Sequence, residues 1–218
     1  MTPHPAAGAT LLHVVFARTR DLAPSRVVRV ASVIFITALT AAAAQVTVPV
    51  PFTPVPFTFQ PTIVLLGGLV LGARLGSLAQ LLYLAAGVAG VSAFSPSVAL
   101  PPGAMRLIGP TGGYLLAYPL AAFVVGRLAE RGFDRRYATS FLAMVAGLAV
   151  IYMGGAAWLA FFARTGTGSA ATGLRTAIAT GVLPFVLPDL VKLIAAAGVA
   201  PVLWRLVGNA HRSWPGPR

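Results

Sequence analysis

The sequence predicts a polytopic α-helical membrane protein, and three observations carry that reading. Apolar residues make up 57% of the 218. Charged residues make up only 9%, against about 25% in ordinary soluble domains. The apolar residues fall in long unbroken runs, not in the alternating segments of about ten residues that a β-barrel shows. A soluble globular domain is thereby excluded, in agreement with a mean hydropathy of +0.85. The formal net charge of +12 does not point to nucleic acid, because basic nucleic-acid-binding chains are polar and this one is not.

The elements follow in order. Residues 1–26 read as a cytoplasmic tail carrying Arg18, Arg20 and Arg26. The apolar stretch Ala9–Ala17 within it is too short to span and lacks a small-residue cleavage site, so it is not read as a signal peptide. A first span covers about Val27–Val48, enough for a hydrocarbon core of about 30 Å. Five prolines between Pro49 and Pro61 then forbid a regular helix. The Phe and Val residues of this segment predict a loop that packs back onto the bundle. The run Thr62–Val91 is too long for one span and short for two. It divides at Gly72-Ala-Arg-Leu-Gly76, with a short second span over about Gln60–Gly72 and a third after the turn.

Ser92–Arg106 reads as a loop, and Gly109-Pro-Thr-Gly-Gly-Tyr114 opens a fourth span, about Thr111–Leu128. A fifth span covers about Ala138–Phe162. Arg164–Arg175 reads as a Gly/Thr/Ser loop, and a sixth span covers about Ile178–Leu203. The six-helix membrane domain is thus residues 27–205, with a cytoplasmic tail at 206–218. With both termini on one side, 12 of the 16 basic residues fall on that side. The positive-inside rule makes it the cytoplasm. Most of the positive charge is then orientation signal and contact with anionic membrane lipid.

Chemistry-bearing residues are few. Cysteine is absent, and His4, His13 and His211 all lie near the termini. An intramembrane protease or metalloenzyme would need such residues inside the bundle. Gly67–Gly72 has the glycine spacing of a phosphate-binding loop, but Ala73-Arg74 follows where Lys-Ser/Thr is required. Any energy for pumping must come from another subunit or an ion gradient. Of the four acids, only Asp189 lies within an apolar run. Asp189 and Lys192 are at i and i+3, on one helical face. Ionised residues in a span are costly and usually face a functional cavity, although a neutralised pair that only locks the helix has the same spacing. Pro188 is expected at the first turn of the final helix.

Gln60, Arg106 and Gly109–Tyr114 fall on the outer side with this pair. The glycines allow close backbone approach to a ligand or to a neighbouring helix. Ala38 and Ala42, four apart on the first span, form a small-residue stripe against which another helix packs closely. Tyr83, Tyr118, Tyr152 and Trp158 read as bundle or interface aromatics. The polar groups suit a small zwitterionic or anionic solute with hydrogen-bonding edges. An ion-coupled secondary transporter using Asp189 and a structural scaffold are the competing readings, and the cost of burying Asp189 and Lys192 weighs against the scaffold.

Three stretches, Pro49–Gln60 (PVPFTPVPFTFQ), Gly109–Tyr114 (GPTGGY) and Leu187–Lys192 (LPDLVK), together resemble the BioY family. These are the biotin-binding S components of energy-coupling factor (ECF) transporters. Leu65–Gly90 is similar to the family's second and third helices, and the resemblance runs from about Ala31 to Pro201. Ser95–Gly103 departs from the Gly-rich pattern that often precedes GPTGGY, and the long N-terminal tail lies outside it. The resemblance implies a six-helix S-component bundle that captures biotin from outside, is not an enzyme and needs no cofactor; an S component for another vitamin is the alternative. It carries Gln60, Asp189 and Lys192 over as ligand contacts, with Arg106 and Tyr114 as further ones. The ureido ring then suits Asp189 with Lys192 or Gln60, the carboxylate suits Arg106 or a backbone N–H cluster, and the apolar parts suit Phe52, Phe57 and Phe59 or similar apolar walls. Partners implied are a T component and two ATPase subunits, with Ala38 and Ala42 as the docking face.

Overall fold

A computed structural model describes residues 11, 25–96, 101, 103–167 and 170–209. The expected tails, including the stretch Ala9–Ala17, lie almost wholly outside the described residues. Helix α1 is Ser25–Gln45, followed by two short strands, β1 (Thr47–Val48) and β2 (Phe57–Thr58). Helices α2 (Gln60–Leu71) and α3 (Ala73–Val88) come next, then the single turn α4 (Met105–Ile108) and α5 (Gly112–Glu130). A 3-10 turn at Phe133–Arg135 leads to the long α6 (Tyr137–Thr167). The chain closes with α7 (Ala170–Gly181), α8 (Leu183–Ala196) and α9 (Val199–Asn209).

Large apolar side chains point outward while several polar ones are buried, the reverse of a soluble protein. Phe35, Met153, Phe161 and Leu187 are exposed, and Gln60, Gln80, Asp189 and Lys192 are buried. Four segments are long and apolar enough to cross a membrane: Ser25–Gln45, Gly112–Glu130, Tyr137–Phe161 and Gly173–Leu206. Helices α2 and α3 are apolar but have 12 and 16 residues, about 18 and 24 Å at 1.5 Å per residue, short of a core of about 30 Å. The expected division of Thr62–Val91 is present, because Gly72 breaks the run at φ 84°, a left-handed value that favours glycine. The turn is fastened to α5. Glu130 Oε1 accepts from the Ala73 amide at the start of α3 over 2.9 Å, where a helix N-terminus favours an anion. A Cβ on Gly126 would overlap the Gly72–Ala73 backbone, so α5 and the turn meet without side chains between them.

Helix α5 is the most enclosed of the four long segments and α1 the most peripheral. The core holds Leu65 and Leu69 of α2, Tyr83 of α3, Ala121 and Val125 of α5, and Met144 and Ile151 of α6.

The C-terminal third departs from expectation. Arg164–Arg175 is not a simple loop, since α6 runs to Thr167 and α7 begins at Ala170. The sixth span is not one helix but three pieces, broken at Val182 and after Ala196. Pro184 occupies the first turn of α8, whereas Pro188 lies inside it. The helix therefore begins one turn earlier than expected. The extra turn is possible because Pro184 has no amide to leave unpaired at a helix start.

Candidate functional site

The pocket is assembled at the end of the bundle where the β-strands lie. The proline-rich segment folds back, as expected, through pairing of Thr47 with Thr58 and Val48 with Phe57. This brings Val55, Pro56 and Thr58 onto the pocket, with Gln60 at the start of α2 beneath them. Helix α5 contributes Tyr114, Leu115 and Tyr118, α6 contributes Ile151 and Tyr152, and α8 contributes Phe185 and Asp189.

Periodicity places the chemistry of α8. Phe185, Asp189, Lys192 and Leu193 are buried, and Leu187, Val191 and Ile194 are exposed, so one helical stripe faces the bundle. Asp189 Oδ1 and Lys192 Nζ form an ion pair, with both side chains nine-tenths buried. Tyr152 Oη donates to Asp189 Oδ2 over 2.6 Å. Both carboxylate oxygens are thus held by protein donors, as a buried charge requires. Lys192 Nζ also donates to the Thr58 carbonyl over 2.7 Å and lies 4.1 Å from the Phe57 ring centre. The ammonium therefore ties α8 to β2 and stands behind Asp189; it does not line the pocket.

Gln60 donates its amide to the Tyr83 hydroxyl. Tyr83 is fully buried, with its ring edge-on to Phe94, 5.5 Å between centres. Tyr114 lines the pocket with its ring, while its hydroxyl donates to the Gly181 carbonyl over 2.7 Å. The break at Val182 diverts the Phe185 amide to Val182 and leaves the Gly181 carbonyl without a helical donor, which Tyr114 replaces. Gly155 and Gly181 leave room for the Tyr114 side chain, since a Cβ on either would overlap it. The Gly112-Gly113 pair likewise serves packing and not a ligand, because a Cβ at Gly113 would overlap Trp158 and Gly154 of α6.

Arg106 is separate from this pocket. Its residue is 8% exposed, although its position suggests a surface charge. It lines a second cavity with Gln45, Ser92, Phe94 and Pro96. Ser95 lines the first pocket, so the segment Phe94–Pro96 is the partition between the two. Arg106 Nε donates to the Pro101 carbonyl over 3.2 Å, and among the described residues no carboxylate pairs with the guanidinium.

A family model described as the BioY family matches residues 15–209. The chain belongs to the BioY family. Its sequence is 41% identical over 172 residues to the probable biotin transporter BioY of Pyrococcus horikoshii, covering 79% of this chain and 91% of that protein. It is 40% identical over 157 residues to the biotin transporter BioY of Thermotoga maritima, covering 72% and 85%. Among solved structures, the S-component for biotin from an ECF-type ABC transporter matches with TM-score 0.68 and 23% identity, over 83% of this chain and 92% of that one. At that identity the likeness is one of fold. This BioY-family chain is accordingly a helical membrane protein.

The three sequence stretches that mark the BioY resemblance do different structural work. LPDLVK supplies the charged pair, PVPFTPVPFTFQ supplies the cover and Gln60, and GPTGGY supplies close packing of α5 on α6. Two expectations are corrected. Phe52 and Phe59 are 63% and 44% exposed, and Phe57 covers Lys192, so the apolar wall is Val55, Leu115, Ile151 and Phe185 instead. Tyr118 and Tyr152 are pocket residues and not merely bundle aromatics. A phenol in the middle of an apolar run is the signal for them, because its hydroxyl needs a partner there.

Proposed function

We propose that this chain captures biotin with high affinity from the outer side of the cell membrane and takes it up as the S component of an ECF transporter. The observation that carries the proposal is Asp189, an acceptor buried in a pocket beneath the proline-rich segment and held by Tyr152 and Lys192. The curated relatives are named as biotin transporters, and such a carboxylate suits the N–H groups of the ureido ring. Val55, Leu115, Ile151 and Phe185 suit the bicycle and alkyl chain. Gln60 is a second polar contact, Tyr114 walls the pocket and holds the helix break, and Lys192 sets the position of Asp189. Arg106 suits the valerate carboxylate, because its cavity adjoins the pocket and its guanidinium has no acidic partner among the described residues.

In this reading six segments cross the membrane, with α2 and α3 as two short crossings joined at Gly72 and α7–α9 as one broken crossing. Both termini are cytoplasmic, which follows from the distribution of basic residues. A T component and two ATPase subunits supply the energy, and the chain is not itself an enzyme. Ala38 and Ala42 are both exposed on α1 and suit close approach of a T-component helix.

Isothermal titration calorimetry of the detergent-solubilised protein tests the ligand. Tight one-to-one binding of biotin is expected for the wild type, and its loss in Asp189→Asn. A folded wild type that does not bind biotin overturns the assignment, and unchanged affinity in Asp189→Asn overturns the ureido contact.

A further inference from the structure

Tyr118 is a buried residue whose hydroxyl no protein group engages among the described residues. The residue is 4% exposed, lies on α5 and lines the Asp189 pocket. Its ring packs against Tyr83, 6.3 Å between centres. Every other strong donor near Asp189 is held. Tyr152 Oη donates to Asp189, Lys192 Nζ is shared between Asp189 and the Thr58 carbonyl, and Tyr114 Oη donates to Gly181. Gln60 is held against Tyr83. Ser95 and Thr111 also line the pocket, but both are half-exposed. Among the described residues, Tyr118 alone combines burial with an unengaged hydroxyl in this pocket.

The Tyr118 oxygen opens onto the pocket. A ligand that fills the pocket displaces water from it, and a hydrogen bond not replaced costs free energy. The hydroxyl therefore favours a ligand that brings an acceptor to it. In a cyclic urea the carbonyl lies between the two N–H groups, so a ligand that gives an N–H to Asp189 sets its carbonyl nearby. Tyr118 and Asp189 line the same pocket, whereas Arg106 lies beyond the Phe94–Pro96 partition.

We infer that the Tyr118 hydroxyl donates a hydrogen bond to the carbonyl of the ligand's cyclic urea while Asp189 accepts from its N–H. The inference rests on the proposed capture of biotin and names which protein group reads the urea carbonyl.

Calorimetry with Tyr118→Phe tests it. Biotin affinity is expected to fall about ten- to a hundred-fold, the range for leaving a buried carbonyl unpaired. Desthiobiotin, which keeps the urea and lacks the ring sulfur, is expected to lose the same factor. The thiourea analogue, whose sulfur is a weaker acceptor, is expected to lose far less. The ratio of biotin to thiourea affinity within one preparation does not depend on its folded fraction, so the comparison holds even if the variant folds in lower yield. Wild-type affinity for biotin in Tyr118→Phe, or equal losses for urea and thiourea, overturns the inference while leaving biotin as the ligand. A folded wild type that binds no biotin overturns both.

Discussion

Tyr152 and Asp189 are joined across two helices, the phenol Oη of α6 donating to Asp189 Oδ2 of α8 over 2.6 Å. The bond fixes the carboxylate orientation and links two of the helices that wall the pocket. Replacing Tyr152 with Phe frees one carboxylate oxygen without changing the shape of the wall. Biotin affinity is expected to fall about ten-fold, the scale of one hydrogen bond to a charged group. Calorimetry checks this, and an unchanged dissociation constant would show that Tyr152 does not orient Asp189.

Lys192 and Asp189 are interdependent because neither charge is tolerated alone at this depth. Lys192→Ala leaves an unpaired buried carboxylate and is expected to cost about 3–5 kcal/mol of stability. The double variant Asp189→Asn with Lys192→Met removes both charges and is expected to recover most of that loss while still failing to bind biotin. Thermal melts in detergent, run beside binding measurements, separate the two effects. A double variant no more stable than Lys192→Ala would contradict the account.

Asp134, in the 3-10 turn between α5 and α6, is fully buried. Burial pushes its carboxyl above the ordinary carboxylate value, opposed by the hydrogen bond from Trp204 Nε1 and by the nearby Arg135 charge. The folded state thus holds the Asp134 proton more tightly than the unfolded chain does. Stability from this group therefore increases as pH falls from above the folded value toward about 3.9, the unfolded value. Asp134→Asn should remove that component, so the wild type loses melting temperature relative to the variant as pH rises through the window. Parallel melting curves for the two proteins from pH 4 to 8 would count against it.

Ala38 tests the proposed docking face. Because Ala38 is exposed on α1 and away from the pocket, Ala38→Trp should leave biotin binding by the purified protein within two-fold of wild type, roughly the noise of a distant surface change. Uptake by cells that also carry the T component and ATPases should fall by about ten-fold or more if the bulky ring blocks close helix packing. Loss of binding together with uptake would instead show that the substitution damages the fold.

Much of the site was legible in the sequence, because some features depend only on local chemistry. An acid and an amine three residues apart in an apolar run must share a helical face, and Asp189 and Lys192 do. Closely spaced prolines exclude a helix over Pro49–Pro56, and the glycines of Gly72-Ala-Arg-Leu-Gly76 mark a turn in a run too long for one span. Other features depend on information that spacing does not contain. Arg106 reads as a surface charge by position, yet it is buried beside a second cavity because the segment Phe94–Pro96 folds across it. The phenols of Tyr118 and Tyr152 stand out in their apolar runs, but only the packing of α6 against α5 and α8 brings them to one pocket.

The sequence by itself determined the membrane class, the non-helical proline segment, the turn at Gly72 and the charged pair, since burial cost, backbone geometry and helical period act on any chain with these residues. The tertiary structure decided where the hydroxyls and amides end. Their partners lie many residues away, as with Tyr152 and Asp189, Lys192 and Thr58, and Tyr114 and Gly181. Such bonds form only after the helices have packed. The same packing decided that Lys192 serves Asp189 and the covering strand, and that the hydroxyl of Tyr118 is left facing the pocket.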